Sequence, residues 1–212
     1  MSYGLPVLSS DEITDALGFA GDDPRRLSIT PMPELEDVRR HAATSIDLRL
    51  GRWFLSFKQS QNSSVPLAIM RGARRTLADV EASRTKQHFI PFGDKFVLHP
   101  GSFVLGATLE WLRLPATLAG YVTGKSTLGR HGLVIETASG IHPRFAGCLT
   151  LELANVGEVP IEILPGMKIC QVFFHAVSET KRQELGSMEG YRKPTLPTPK
   201  RDITLEKISV PE

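Results

Sequence analysis

From residue 45 onward the chain is a succession of brief apolar runs: SIDLRL (45–50), RWFLSF (52–57), KFVLHP (95–100), SFVLGATLEWLRL (102–114), LAGYVTG (118–124), GLVIET (132–137), CLTLELAN (148–155), VPIEIL (159–164) and KICQVFFHAV (168–177). They are rich in Val, Ile, Leu and Phe, and turn signals such as HPG, NVG and LPG fall between them. Many short strands at close spacing predict an all-β architecture: a sandwich, a jelly roll or a distorted barrel.

Ahead of the strands, Ser9-Ser10-Asp11-Glu12 has the pattern of a capping box, Ile13 and Leu17 share an apolar face, and Gly18 is placed to stop a short helix. Residues 59–87 are polar and basic (Arg71, Arg74, Arg75, Arg84, Lys86) and read as a surface insertion, with helical pattern near 76–84. After Val177 the chain is charge-dense, and KPTLPTPK carries three prolines in eight residues. The expected organisation is one domain over 1–177 and an extended tail over 178–212, mobile unless pinned.

Composition narrows the function classes. With 41% hydrophobic and 23% charged residues among 212, and no apolar run of bilayer length, the expectation is a soluble globular protein. The opening MSYGLPVLSSDEI lacks the pattern of a secretory signal, and the two cysteines, Cys148 and Cys170, sit in apolar segments; buried free thiols in a reducing cytoplasm fit both facts. A net charge of +2 is too small to draw nucleic acid or anionic membrane by bulk electrostatics, so any basic site is local.

One local site is visible in AGYVTGKSTLGR (119–130), which contains A-x-x-x-x-G-K-S, a P-loop pattern with Ala119 for its first glycine. A P-loop needs a helix after the turn and a parallel sheet around it. Gly129 and Gly132, followed by β-branched residues, are poor helix material, and the surroundings are all-β. The context therefore argues against ATPase chemistry. Lys125, Ser126, Thr127 and Arg130 still concentrate oxyanion-binding groups, and the alternative is an exposed polar turn.

Read further, GKSTLGRHGLVIETASGIHPRFAGCLTLELANVGEVPIEILPGMKICQVFF, with SIDLRLGRWF and FVLHPGSFVLGATLEWLRLPATLAGYVTG upstream, resembles the dCTP deaminase branch of the dUTPase-like superfamily. The resemblance covers about 45–174 apart from the insertion, with further likeness in LSITP (27–31), Tyr191 and PTP (197–199). It implies a β-clip fold, a distorted jelly roll assembled as a homotrimer with nucleotide sites between subunits. It also implies deamination of dCTP to dUTP and ammonia, supplying dUTP for thymidylate synthesis, with magnesium on the triphosphate and dTTP as a feedback inhibitor.

Zinc deaminases carry H-x-E and P-C-x-x-C. Neither string occurs here, so deamination would be zinc-independent. Strand alternation turns Leu149, Leu151 and Leu153 to the core and Thr150, Glu152 and Ala154 the other way, so the Glu152 carboxylate can line a cleft. A solvated surface glutamate is the alternative; partial burial would raise its proton affinity and suit it to acid–base work. By the resemblance, Glu152 is the general base and acid. Ser126 and the Ala138 carbonyl hold the attacking water, and Arg130 supports developing charge. Lys125, Ser126 and Thr127 contact the triphosphate, Thr150 and Leu151 contact the pyrimidine through their backbone, and Tyr191 closes over nucleotide. Gln171 also matches the family and reads as structural.

Several positions depart from the family. His142 stands where an Asp touches the deoxyribose and, in dUTPases, steers the hydrolytic water. Imidazole is not the same anionic partner near neutral pH. Arg144 replaces a glycine, and Gly190 and Pro194 replace a Lys and a Gln around Tyr191. His142 disfavours diphosphohydrolysis to dUMP, although Gly129 within S-T-L-G-R favours such a bifunctional enzyme. A nucleotide-binding homologue without turnover is the third reading.

Overall fold

The computed structural model describes residues 7–40, 44–58, 85–178, 192–194 and 196. The strands form antiparallel sheets. The largest runs β4 (Thr85–Phe89), β3 (Trp53–Phe57), β6 (Phe103–Ala107), β12 (Thr150–Asn155) and β9 (Leu133–Glu136). A second runs β10 (Gly140–Ile141), β8 (Leu118–Gly124), β14 (Lys168–Ala176) and β2 (Ser45–Arg49). A third joins β1 (Ser28–Thr30), β7 (Trp111–Arg113) and β11 (Ala146–Gly147), and β5 (Phe96–Leu98) pairs with β13 (Ile161–Ile163). The expected β-rich class is observed, with few helices.

The apolar alternation read from the sequence becomes burial. Leu151 and Leu153 of β12 are fully buried, Leu149 just before it is buried, and Glu152 is exposed. Leu48 of β2, Phe54 of β3, and Val172 and Phe174 of β14 join them in one hydrophobic cluster, where Phe54 stacks on Phe96 at 4.9 Å. Removing such area from water at about 25 cal/mol per Å2 is the dominant force holding the sheets together.

Helix α1 (Ser10–Gly18) begins with the capping box: the Ser9 N–H donates to Glu12 Oε2 at 2.8 Å and the Glu12 N–H donates to Ser9 Oγ at 3.3 Å. Two boundaries differ from expectation. The run 102–114 breaks into β6 and β7 because Thr108 turns inward, its hydroxyl donating to the Glu110 carbonyl and accepting from the Leu149 N–H. The last residues of the 59–87 stretch, Thr85 to Gln87, belong to β4, a polar edge strand paired with β3. The helical pattern near 76–84 lies outside the described residues, as does Tyr191.

Candidate active site

The phosphate-type string opens as β8 ends. Gly124 is required there: a Cβ would come 2.9 Å from the Ile135 Cβ, so a side chain would push β8 and β9 apart. Lys125 is extended and caps a single helical turn, Ser126–Gly129, in a stretch whose Gly129 and Gly132 read as poor helix material. The turn ends because Gly132 takes φ +88° and packs against the Gly157 backbone, a position no larger residue fills. Ser126, Thr127 and Arg130 are exposed on it.

Lys125 is anchored at both ends. Its N–H donates to the Ile169 carbonyl at 3.3 Å, and its Nζ lies 2.6 Å from Asp47 Oδ1. Lys168 Nζ reaches the other oxygen, Oδ2, at 3.3 Å. Burial pushes the Asp47 carboxyl upward, but the hydrogen bonds and charges of Lys125 and then Lys168 outweigh it and hold it below the usual carboxylate range. Asp47 was not singled out from the sequence. Its signal was an acid inside the alternating run SIDLRL, which becomes meaningful only when β14 brings Lys168 beside it.

A second group gathers where β9 ends at Glu136. Glu152 lies opposite Glu136. The hydroxyl of Thr137 donates to the Thr150 carbonyl at 2.8 Å, placing Ala138 next to the start of β12. Gly124, from which the helical turn departs, abuts Ile135, and Ile135 lies opposite Leu153, so the turn begins beside the β9 residue next to Glu136. Among the described residues no hydrogen bond or ion pair joins Glu152 to Ser126 or Arg130. Glu152 is also exposed rather than partly buried, because the outward face of β12 at this point is left uncovered by the described part of the chain.

His142 and Arg144 are exposed on a tight turn in which the Phe145 N–H donates to the His142 carbonyl at 3.2 Å. Arg144 has φ +67°, the left-handed value that favours glycine. In the tail, Lys193 Nζ lies 3.8 Å from the Trp53 ring centroid and Pro194 is buried, so this segment is pinned. Arg192 lines a cavity of about 410 Å3 with Trp53, Trp111 and Cys148. Both cysteines are free. Burial pushes Cys170 up to about 12 and raises Cys148 as well, so neither is a poised thiolate. Among the described residues no three His, Cys, Asp or Glu side chains gather to hold a metal, and no helix is long and apolar enough to cross a membrane.

This β-rich frame, with GKSTLGR on a turn and LTLEL on a central strand, coincides with a match to the dCTP deaminase-like family model over residues 7–177. The chain belongs to the dCTP deaminase-like family. Among its relatives, a protein of Parafrankia sp. named "dCTP deaminase, dUMP-forming" is 41% identical over 177 residues, covering 80% of this chain and 82% of that one. A "dCTP deaminase, dUMP-forming" of Corynebacterium glutamicum is 39% identical over 196 residues, covering 89% and 94%. A "dCTP deaminase" of Halorubrum lacusprofundi is 35% identical over 185 residues, covering 87% and 84%. The crystal structure of the 2'-deoxycytidine 5'-triphosphate deaminase from Agrobacterium tumefaciens superposes with TM-score 0.58 at 22% identity, over 82% of this chain and 49% of that chain, a likeness of fold. Within this dCTP deaminase-like chain, then, Lys125 meets Asp47 where β8 ends, and Glu152 lies opposite Glu136 where β9 ends.

Proposed function

We propose that the protein deaminates dCTP, giving dUTP and ammonia without zinc. The observation that carries this reading is the outward Glu152 on β12, beside the Thr150 carbonyl that Thr137 holds, in a chain of the dCTP deaminase-like family. Water attacks the amino-bearing ring carbon of cytosine, and one of its protons passes to Glu152 and on to the ring nitrogen. Glu152 then carries the remaining hydroxyl proton to the amino group, the C–N bond breaks, and ammonia leaves as the carbon becomes a carbonyl. Ser126 and the Ala138 carbonyl hold the water, Arg130 stabilises charge on the intermediate, and the Thr150 and Leu151 backbone reads the pyrimidine.

The exposure of Glu152, with no hydrogen bond or ion pair joining it to Ser126 or Arg130 among the described residues, favours completion of the site by another copy. In a homotrimer, the turn of one subunit would meet β12 of its neighbour. Lys125, Ser126 and Thr127 grip the triphosphate, and Tyr191 closes over it. The donor set at this end is ammonium and hydroxyl groups with one carboxylate shared by two lysines, which fits magnesium arriving on phosphate rather than a protein-held ion. A cytoplasmic location, dTTP feedback, and the absence of nucleic-acid and membrane partners belong to the same reading.

A second reading, onward hydrolysis to dUMP and pyrophosphate, is favoured by the names of the Parafrankia and Corynebacterium relatives and opposed by His142. Incubation with dCTP and magnesium, with products resolved by chromatography, separates the two. Accumulated dUTP supports the first, stoichiometric dUMP the second, and tight binding without product removes both. Glu152→Gln should retain dCTP binding and lose ammonia release; substantial turnover by that variant, or stoichiometric zinc in active protein, would sink the mechanism.

A further inference from the structure

We infer that Lys168 is a second phosphate-binding cation, working as a pair with Lys125 across Asp47. This deepens the proposed function, since it rests on Lys125 facing the triphosphate. The backbone provides the first argument. Along β14 the half-buried residues Gln171, Phe173 and His175 alternate with the buried Cys170, Val172 and Phe174, a parity that would send residue 168 inward. Instead the register shifts between Lys168 and Cys170, Ile169 and Cys170 are both fully buried, and Lys168 emerges on the side of Asp47. A bulge re-aims a side chain at the cost of ladder pairing. Here the side chain it re-aims is an ammonium.

The second argument is charge. The Lys125 N–H is tied to the carbonyl of Ile169, so the two lysines grow from adjoining backbone and converge on the two oxygens of one carboxylate. Two ammonium groups on one carboxylate leave one positive charge uncompensated, with about half of the Lys168 side chain exposed. An ion pair for strand stability needs one lysine and contributes little at such exposure. A pair of lysines held by a single short acid is instead a preassembled oxyanion site: Asp47 keeps both ammonium groups together until a polyphosphate, bearing several charges, competes for them. Arg49, opposite Lys168, donates its guanidinium to the Gly166 carbonyl at 2.9 Å.

The test uses full-length protein, with dCTP as substrate and inorganic tripolyphosphate as the probe. Binding of tripolyphosphate is measured by calorimetry and turnover by ammonia release, for the wild type, Lys168→Met, Lys168→Arg and Lys125→Met. Loss of one charge-assisted contact should weaken tripolyphosphate binding and raise KM for dCTP by about tenfold in Lys168→Met, with kcat within about twofold and most of the loss restored in Lys168→Arg. Unchanged binding and KM in Lys168→Met, with a loss in Lys125→Met, overturns the inference and leaves the proposed function standing. A fall in kcat and thermal stability with tripolyphosphate affinity intact also overturns it, because Lys168 would then be structural. No effect from either Met variant overturns the inference and removes the phosphate site from the Lys125 turn altogether. Should the wild type not turn over dCTP, the calorimetric arm still decides the role of Lys168.

Discussion

Glu136 and Glu152 stand directly opposite each other, the last residue of β9 against the third of β12, so both carboxylates leave the sheet on the same face. Like charges in directly paired positions are destabilising. Glu136→Lys should therefore raise stability by about 0.5 kcal/mol at low salt, with the gain fading as salt screens the new pair. Thermal unfolding at low and high ionic strength checks it, and a loss of stability at low salt would mean the two side chains diverge.

Arg144 holds φ +67° in a turn whose geometry suits glycine. Arg144→Gly should stabilise the fold by about 1 kcal/mol, a rise of a few degrees in Tm. If the variant melts at or below the wild type, the arginine is making compensating contacts that its exposure does not reveal.

Glu110 is 5% exposed, and burial pushes its carboxyl above the usual range although the Arg49 N–H donates to it at 2.8 Å. A carboxyl raised in the folded state contributes stability below its unfolded value of about 4.3, and that contribution is lost as pH rises through the folded value. Glu110→Gln, whose amide oxygen can still accept from Arg49, should gain stability at pH 7 and gain none at pH 4. Asp47 has the opposite sign: depressed by its lysines, it stabilises above about pH 3.9, and that stability is lost as pH falls through its folded value. Denaturant titrations across pH 3–8 on the wild type, Glu110→Gln and Asp47→Asn would expose a sign error for either group.

Asn155 is almost fully buried at the end of β12, its amide donating to the carbonyls of Leu98 and Val159 at 2.8 Å each and its oxygen accepting from the Gly157 N–H. Asn155→Leu leaves those three groups without their partner and should cost about 3 kcal/mol. A urea midpoint unchanged within error would show that water replaces the amide. The loop it holds packs against Gly132 and so bounds the helical turn.

Local pattern was enough for much of this protein. Alternation in LTLEL sends Leu151 and Leu153 inward and Glu152 outward whatever sheet receives them, because side chains on a strand alternate faces. Ser9 and Glu12 cap a helix through contacts three residues apart, and Gly132, at φ +88°, turns the chain after the Lys125 turn by its own backbone preference. Strands of two or three residues, such as β10 and β11, were illegible because so short a run has no period, and β4 was hidden because an edge strand can be polar. Asp47, Lys125 and Lys168 are scattered along the chain and meet only because β14 pairs with β2 on one side and β8 on the other. Strand alternation settled which way Glu152 points. Sheet pairing decided what it faces, since cross-strand neighbours are set by long-range register, which no local window of residues contains.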